Sequence, residues 1–238
     1  MLFTIITVCF NSEKTIERTI QSVLHQTCQD YEYIIIDGAS TDGTMEMVRK
    51  YEPLFEGRMR WISEPDKGIY DAMNKGIEMA SGELIGIVNS DDYYEPDALS
   101  IMKRLYTGYE YSILYGSVRK IENGKEVMVY IKNHELIEQD MITHPSCFIT
   151  KKLYDDFGKY SLEYPYSADY EFMLRIHQET KIRYFKTYDI ITNFTSGGVS
   201  DTRKAYRDTM KLLYHYHLIS KKRYYYEMIK IWLVTRII

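Results

Sequence analysis

The apolar positions of about the first hundred residues follow two alternating periods. Short runs rich in β-branched residues predict buried strands, and between them apolar residues return at helical spacing, as at Ile16, Ile20 and Val23. This alternation predicts a Rossmann-like α/β fold with a mostly parallel sheet and helices on both faces. The predicted strands span 2–9, 31–37, 59–63 and 83–88, and the predicted helices between them lie around 16–24, 45–51 and 69–80.

The pattern becomes mixed beyond residue 110. Two strand-like runs flank Asn123-Gly124, a pair that favours a tight hairpin turn. Ser196–Ser200 contains two glycines and predicts a flexible loop, after which two helices close the chain. The other elements predicted here are strands at 146–150, 181–186 and 188–194 and a helix at 167–179.

Composition is that of an ordinary globular chain of 238 residues, of which 45% are hydrophobic. A net charge of -4 argues against a nucleic-acid binder. Three scattered cysteines are too few for a disulfide framework, so we expect a reducing, cytoplasmic location. No apolar run approaches the roughly 20 residues that cross a bilayer, and the first eleven residues resemble a strand more than a signal peptide.

Charge is unevenly distributed. Residues 203–238 carry nine basic side chains against two acidic ones, so the rest of the chain is acidic. Aromatic and aliphatic residues return at helical spacing there: Tyr225, Met228, Ile229, Trp232 and Leu233. Such a basic, aromatic C-terminal helical tail suits the anionic inner face of a membrane, where the protein would be peripheral. Two other interpretations stay open, namely packing on the catalytic body and a homodimer contact.

Acidic or amide side chains stand where three predicted strands end. In an open parallel sheet, ligands bind beyond the carboxyl ends of the strands. Asn11 follows the first strand, Asp37 ends the second, and Asn89, Asp91 and Asp92 follow the fourth. Carboxylates at a nucleotide site need a divalent cation between them and the phosphates, and hard oxygen ligands suit Mg²⁺ or Mn²⁺. Asp91-Asp92 could instead cap a helix, and Asp37 could brace a turn before Gly38.

Several enzyme classes are disfavoured by missing motifs. The chain has neither G-x-G-x-x-G after the first strand nor G-x-x-x-x-G-K-[ST], which argues against a dinucleotide enzyme and against a P-loop enzyme. The nucleophile elbow G-x-S-x-G is also absent. Cys147 lies in an apolar, strand-like context and is interpreted as a small buried hydrophobe rather than a nucleophile.

Five stretches together resemble family 2 glycosyltransferases. They are ITVCFNSEKTIERTIQSVLHQT, YIIIDGASTDGT, ASGELIGIVNSDD, HPSCFI and SADYEFMLR, in that order. The resemblance covers most of the chain to about residue 200. It implies a GT-A fold, a nucleotide-diphospho-sugar donor and a hydroxyl acceptor. IYDAMNKGI and SGGVS resemble a branch that builds bacterial surface polysaccharides.

The resemblance also implies donor-site roles. Asp37 falls where the family contacts the base or ribose, and Asp91 falls on the metal ligand of the Asp-x-Asp motif. Asn89 replaces the first aspartate of that motif, so it adds no charge to the metal site. Asp92 matches the extra acid that often follows.

Asp169 falls where the family places its catalytic base. An inverting transfer needs a base that takes the proton of the acceptor hydroxyl, and a carboxylate at a helix start can do this. The preceding glutamate of the family is Ala168 here. From the residues alone, Asp169 would be a first-turn acid that complements the helix dipole.

Other assignments leave alternatives open. Phe10 could stack on the base or belong to the core. Asp66, Asp71 and Asn74 lie at the mouth of the crevice, and the last two could hydrogen-bond the donor or loop backbone, or lie on a solvated helix face. Gly197-Gly198 would allow a lid or an ordinary turn. His144 lies on the acceptor side by resemblance, although a histidine before proline is more often structural.

These observations favour an inverting glycosyltransferase with a UDP- or GDP-type donor and a saccharide or lipid-linked saccharide acceptor. The predicted organisation is a catalytic domain at 1–202, with a nucleotide-sugar half at 1–110 and an acceptor-side half at 111–202, followed by the tail at 203–238. A sugar-nucleotide pyrophosphorylase is disfavoured because NSEKTIE is not a glycine-rich phosphate loop. A catalytically silent relative that serves as a binding or scaffold subunit stays open because of Asn89 and Ala168.

Overall fold

A single nine-stranded sheet organises the computed structural model, which describes residues 1–198 and 202–236. The strands are β1 (Phe3–Cys9), β2 (Tyr31–Asp37), β3 (Met59–Ser63), β4 (Leu84–Ile87), β5 (Tyr93–Tyr94), β6 (Ser112–Glu122), β7 (Lys125–Tyr130), β8 (Cys147–Thr150) and β9 (Arg183–Thr195). The helices are α1 (Ile16–Leu24), α2 (Thr44–Tyr51), α3 (Ile69–Met79), α4 (Ala98–Leu105), α5 (Lys151–Phe157), α6 (Ala168–Ile176), α7 (Arg203–His215) and α8 (Lys221–Arg236).

The first half of the sheet is parallel, as predicted. Its order is β3-β2-β1-β4, and the register pairs Cys9 with Asp37 and Asp37 with Ser63. The carboxyl ends of these four strands therefore meet at one edge of the sheet.

Helices cover both faces because side chains alternate along each strand. Ile5 and Ile35 pack with α1, α2 and α4 on one side. Ile6 and Ile34 pack with α3, α5, α6 and α7 on the other. The predicted α/β layering is confirmed.

The second half of the sheet is mixed. β8 runs antiparallel to both β4 and β6, and β9 runs parallel to β6. The hairpin between β6 and β7 turns at Asn123 and Gly124, whose φ values of 51° and 74° are those of the predicted tight turn.

The prediction of two strands at 181–186 and 188–194 is wrong, since β9 is continuous. Its pairing with β6 absorbs an irregularity in register around Gly116. A Cβ at Gly116 would lie only 2.4 Å from Ile191 Cγ1, so the absence of a side chain lets the two strands stay together there.

α7 contributes to the core of the body. Met210, Leu212 and Leu213 are buried in the same cluster as the inner face of α6. The boundary at residue 202 stays a prediction, although α7 shares a buried core with the sheet. Within 1–198 and 202–236, no helix is long and apolar enough to cross a bilayer.

Candidate active site

The convergence of β1, β2 and β4 brings the predicted donor-site residues to one edge. Phe10 follows β1, Asp37 ends β2, and Asn89 to Asp92 follow β4. Val88 N donates to Ile6 O and Gly38 N donates to Cys9 O, so the backbone ladder continues to the edge on both sides of β1. The three strand ends thus form one continuous rim.

Asp37 is fully buried and braces the turn after its strand. Its carboxylate accepts hydrogen bonds from the amide and hydroxyl of Ser40 at 3.0 and 2.5 Å and from the Ser63 hydroxyl at 2.6 Å. The Cys9 thiol lies 3.6 Å from Oδ1. The turn-bracing alternative is the one seen, while contact with a nucleotide stays a prediction.

Phe10 is 63% exposed, so it lies outside the core. It flanks the turn after β2 together with Asp66. A Cβ at Gly38 would lie 2.6 Å from Asp66 Oδ2 and 3.4 Å from the Phe10 ring. Glycine therefore lets an exposed aromatic ring and a carboxylate approach the same backbone. A ring face and a hydrogen-bond acceptor side by side suit a flat base that carries an N–H group.

Asp71 and Asn74 both bond to backbone. Asp71 Oδ2 accepts from Lys67 N at 3.0 Å, which closes the loop before α3. Asn74 donates to Tyr160 O at 2.9 Å and accepts from Tyr160 N at 3.0 Å. Asn74 thereby joins α3 to the segment before α6. The loop-backbone alternative is the one seen for both, and a donor contact stays a prediction.

The carboxylates of Asp91 and Asp92 lie close together after the end of β4. Burial, and then the negative charge of Asp91, raise the pKa of Asp92 well above its usual range. Burial also raises the pKa of Asp91. Asp92 Oδ1 accepts from Thr195 N at 2.8 Å. A side-chain hydrogen bond from Asn89 opposes the rise in the Asp92 pKa. Among the described residues, no hydrogen-bond partner is seen for the buried oxygens Asp92 Oδ2 and Asn89 Oδ1. The site thus has an excess of acceptor oxygens over donors.

The end of β9 and the residues after it lie against this pair. The Thr195 hydroxyl and the Arg18 guanidinium donate to the Asp91 carbonyl at 2.7 and 2.8 Å. A Cβ at Gly198 would lie 3.1 Å from Asp91 Oδ2. The loop at 196–200 therefore lies beside Asp91 at Gly198, and its role as a lid or as an ordinary turn stays a prediction. Its remaining residues, Val199 and Ser200, lie outside the described residues.

Asp169 is half-buried in the first turn of α6. The Tyr70 hydroxyl donates to Asp169 Oδ1 at 2.6 Å, and Tyr170 N donates to the same oxygen at 2.9 Å. Both bonds seen in the described part of the chain go to Oδ1. Oδ2 accepts neither of these bonds and is therefore the oxygen that can accept a proton.

Ala168 and His144 are both buried near Asp169. Ala168 is 0% exposed, so a methyl group in the core stands at the position of the family glutamate. His144 Nε2 lies 2.8 Å from the Tyr160 hydroxyl, and burial lowers the pKa of His144. Tyr160 also packs its ring 5.5 Å from that of Tyr70. His144 is thus part of the buried support beneath Asp169.

Cys147 is buried in β8. Burial raises the pKa of its thiol far above neutrality, as expected for a core cysteine. Within the described ranges, no three or more His, Cys, Asp or Glu side chains are grouped so that they could hold a metal ion. Asp91 supplies one carboxylate and Asn89 one buried amide oxygen without a partner, which are hard oxygen donors of the kind that Mg²⁺ and Mn²⁺ prefer.

Sequence reasoning missed the supporting residues. Tyr70, Arg18, Thr195 and Ser63 act through contacts between elements distant in the chain. The one available signal was the unusual number of tyrosines, 24 of 238 residues, of which Tyr70 and Tyr160 lie under Asp169.

The chain is also similar to known proteins of one family. A family model described as glycosyl transferase family 2 matches residues 4–210. A PGL/p-HBAD biosynthesis glycosyltransferase of Mycobacterium bovis is 28% identical over 204 residues, which cover 84% of this chain and 80% of the relative.

Two solved structures are similar in fold. S. aureus TarS 1-349 in complex with UDP-GlcNAc has a TM-score of 0.73 at 20% identity, over 93% of this chain and 68% of that one. The mannosyltransferase PcManGT from Pyrobaculum calidifontis, in complex with GDP-Man and Mn²⁺, has a TM-score of 0.62 at 19% identity, over 90% of this chain and 62% of that one.

Proposed function

The chain belongs to glycosyl transferase family 2 and is a glycosyltransferase of GT-A fold, and we propose that it is an inverting enzyme of cell-surface polysaccharide biosynthesis. The donor would be a UDP- or GDP-type sugar, and the acceptor a hydroxyl group of a saccharide or lipid-linked saccharide. The observation that carries the proposal is the crowded Asp91–Asp92 pair at the end of β4, under the loop that contains Gly198.

The donor base would bind beside the turn after β2. Phe10 offers an exposed ring face, and Asp66 offers an acceptor for a base N–H. Asp37 would act from below, through the serines that it holds. That TarS is in complex with UDP-GlcNAc and PcManGT with GDP-Man supports a uracil or guanine base.

A divalent cation, Mg²⁺ or Mn²⁺, would be held by Asp91, with Asn89 as a neutral oxygen donor. PcManGT is in complex with Mn²⁺. The raised pKa of Asp91 and Asp92 fits this role, because a nearby cation would compensate the charge that burial penalises. When bound, the cation would stabilise the negative charge on the departing diphosphate.

Asp169 would act as the base. Its Oδ1 is held by Tyr70 and Tyr170, so Oδ2 can accept the proton of the acceptor hydroxyl. The acceptor oxygen then forms a bond to the anomeric carbon from one face, while the bond to the diphosphate breaks on the other. The diphosphate leaves with the electron pair, and the configuration at the anomeric carbon inverts.

Placement in the cytoplasm, peripheral at the inner face of the membrane, completes the proposal. All three cysteines, Cys9, Cys28 and Cys147, are free and buried, which suits a reducing compartment. A lipid-linked acceptor would lie at that membrane face. Glycosyl transfer at that membrane face would require one reaction that supplies the activated nucleotide-sugar and another that extends or exports the product.

The decisive experiment is a calorimetric titration of UDP, GDP, CDP and dTDP, with and without Mn²⁺, on the parent protein and on Asp91→Asn. We expect one nucleotide to bind in a metal-dependent way. Asp91→Asn should weaken that binding by at least about 10–100-fold, a loss that even the outer partners of a metal ligand produce. Asp155→Asn, an exposed acid on α5, is the matched control and should leave binding unchanged.

Donor hydrolysis then separates the enzyme from a silent relative. Asp169→Asn should keep the nucleotide affinity and lower the turnover number about 10²–10⁴-fold, which is the usual contribution of a positioned base. Binding of none of the four nucleotides would overturn the donor site. Binding without any turnover, unchanged by Asp169→Asn, would favour the scaffold role.

A further inference from the structure

α8 has one face on the protein and one face in solvent. Tyr224 and Met228 pack against the core cluster that contains α7. The opposite face presents five large apolar or aromatic side chains with exposed fractions between 48% and 65%. They are Tyr225, Tyr226, Ile229, Trp232 and Leu233.

These five positions form one stripe. With 3.6 residues per turn they fall within about a third of the circumference of the helix. Met228, which the sequence pattern assigned to the apolar face, lies on the inward side instead, and Tyr226 takes its place on the outward side. The stripe is therefore broad and rich in aromatic residues.

Cations border the stripe. Lys221 lies along one edge of the stripe, and Arg223 and Lys230 lie along the other edge. Lys222 lies in line with the stripe, one turn before its first residue. All four side chains are exposed. The one acid of α8, Glu227, is turned inward with a side-chain exposure of 15%, and it accepts a hydrogen bond from the Tyr206 hydroxyl. Glu227 also lies 3.9 Å from Lys230 Nζ, whose own side chain is 65% exposed. The outward face of α8 is thus apolar in the middle and positive at its borders.

α7 adds to the positive charge. Its exposed side chains include Arg203, Lys204, Arg207 and Lys211, whereas its one acid, Asp208, is buried. A second copy of the chain docked through α8 would bring these like charges towards each other. An anionic surface would instead neutralise them.

We propose that the outward face of α8 binds the interface of an anionic membrane. The aromatic and aliphatic stripe would enter the boundary between headgroups and acyl chains, and Lys221, Lys222, Arg223 and Lys230 would contact lipid phosphates. This inference rests on the proposed function in one respect, namely that membrane binding would hold the active site near a lipid-linked acceptor. The binding itself is independent of the nucleotide site.

Trp232 provides the readout, because the chain has only one other tryptophan, Trp61 in β3. In a full-length Trp61→Phe background, vesicles of phosphatidylglycerol mixed with phosphatidylcholine should shift the emission of Trp232 to shorter wavelength. Pure phosphatidylcholine vesicles should not. Cosedimentation with the same vesicles gives the partition coefficient.

The triple variant Lys221→Gln, Lys222→Gln and Arg223→Gln should lower that partition coefficient on the order of 100-fold, since each cation near an anionic surface contributes roughly a factor of five. The matched control removes three exposed cations elsewhere, Lys103, Arg104 and Lys125, and should bind like the parent. Ile229→Ser with Leu233→Ser should abolish the emission shift.

Equal and negligible binding to both kinds of vesicle would overturn the proposal. So would a dimer, seen by sedimentation, that the Ile229→Ser and Leu233→Ser changes dissociate while vesicles bind neither form. Nucleotide titration on the same protein distinguishes this failure from failure of the proposed function: vesicle binding without nucleotide binding overturns only the donor site.

Discussion

The Tyr70 hydroxyl donates a hydrogen bond to Asp169 Oδ1 at 2.6 Å, across 99 positions of the chain. Tyr70 lies in the first turn of α3 and Asp169 in the first turn of α6. The bond therefore couples the helix that follows β3 to the proposed base. Tyr70 is buried and Asp169 is half-buried, so the contact is partly shielded from water.

Tyr70→Phe should lower kcat about tenfold or more and leave the KM for the donor unchanged. A hydrogen bond to a charged group contributes about 1.5–3 kcal/mol, and its loss would let the Asp169 carboxylate rotate away from the acceptor. Steady-state kinetics of donor hydrolysis measure the split between kcat and KM.

Tyr154→Phe is the matched control, since its hydroxyl bonds to that of Tyr160 and belongs to the same buried cluster without touching Asp169. An equal loss of kcat in both variants would mean that Tyr70 acts only through the stability of the cluster.

Local patterns predicted the rim of the site but not its support. The positions of Phe10, Asp37 and Asp91 are predictable because each lies at or just after the end of a short buried strand, and parallel strand ends share an edge. The Tyr70–Asp169 bond depends on how α3 and α6 pack, which no local period encodes. α5 was missed because its seven residues bury only Leu153 and Tyr154, too few for a helical period.

Gly38→Ala should weaken nucleotide binding about tenfold with little change in stability. The new Cβ would displace Asp66 Oδ2, which would otherwise lie 2.6 Å away, and a carboxylate at the end of a side chain can move at low cost. The nucleotide base would then lose one hydrogen-bond acceptor, and this accounts for the expected loss of affinity.

Gly43→Ala is the control for Gly38→Ala. It lies on the same loop, and its Cβ would meet Glu13 Oε2 at 3.2 Å, away from Phe10 and Asp66. Calorimetric titration of the nucleotide and thermal unfolding of both variants decide the matter. Unchanged affinity in Gly38→Ala would remove Asp66 from the base site.

Asp92→Asn should stabilise the metal-free protein at neutral pH. Burial and the charge of Asp91 raise the pKa of Asp92 in the folded protein above its value in the unfolded chain. Stability therefore falls as pH rises between those two values, and at neutral pH the charge is a cost. An asparagine removes the charge and keeps an oxygen acceptor for Thr195 N.

The melting temperature of Asp92→Asn should exceed that of the parent by about 3 °C or more at pH 7, since each pKa unit corresponds to about 1.4 kcal/mol. The difference should vanish only below about pH 3, where the aspartate is protonated in both the folded and the unfolded chain. Asp155→Asn should show no comparable gain. A parent protein that is more stable than Asp92→Asn at pH 7 would contradict the assigned sign.

The N-terminus of α6 is held by a residue from α7. Asp208 Oδ2 accepts hydrogen bonds from Tyr166 N and from the Ser167 hydroxyl, both at 2.9 Å. Asp208→Ala should lower the free energy of unfolding by about 1–3 kcal/mol, because it leaves buried donors without an acceptor. Asp208→Asn keeps an acceptor oxygen and should lose less. Urea denaturation followed by circular dichroism measures both.

The same contact predicts where the chain can be shortened. A chain that ends at residue 202 loses Asp208 together with the buried Met210, Leu212 and Leu213, so the core beside α6 is opened to water. It should show no cooperative unfolding transition. A chain that ends at residue 219 keeps all four side chains and should unfold cooperatively. If the shorter chain unfolds as cooperatively as the longer one, α7 is not part of the catalytic body, and the boundary predicted at 202 is a true domain boundary.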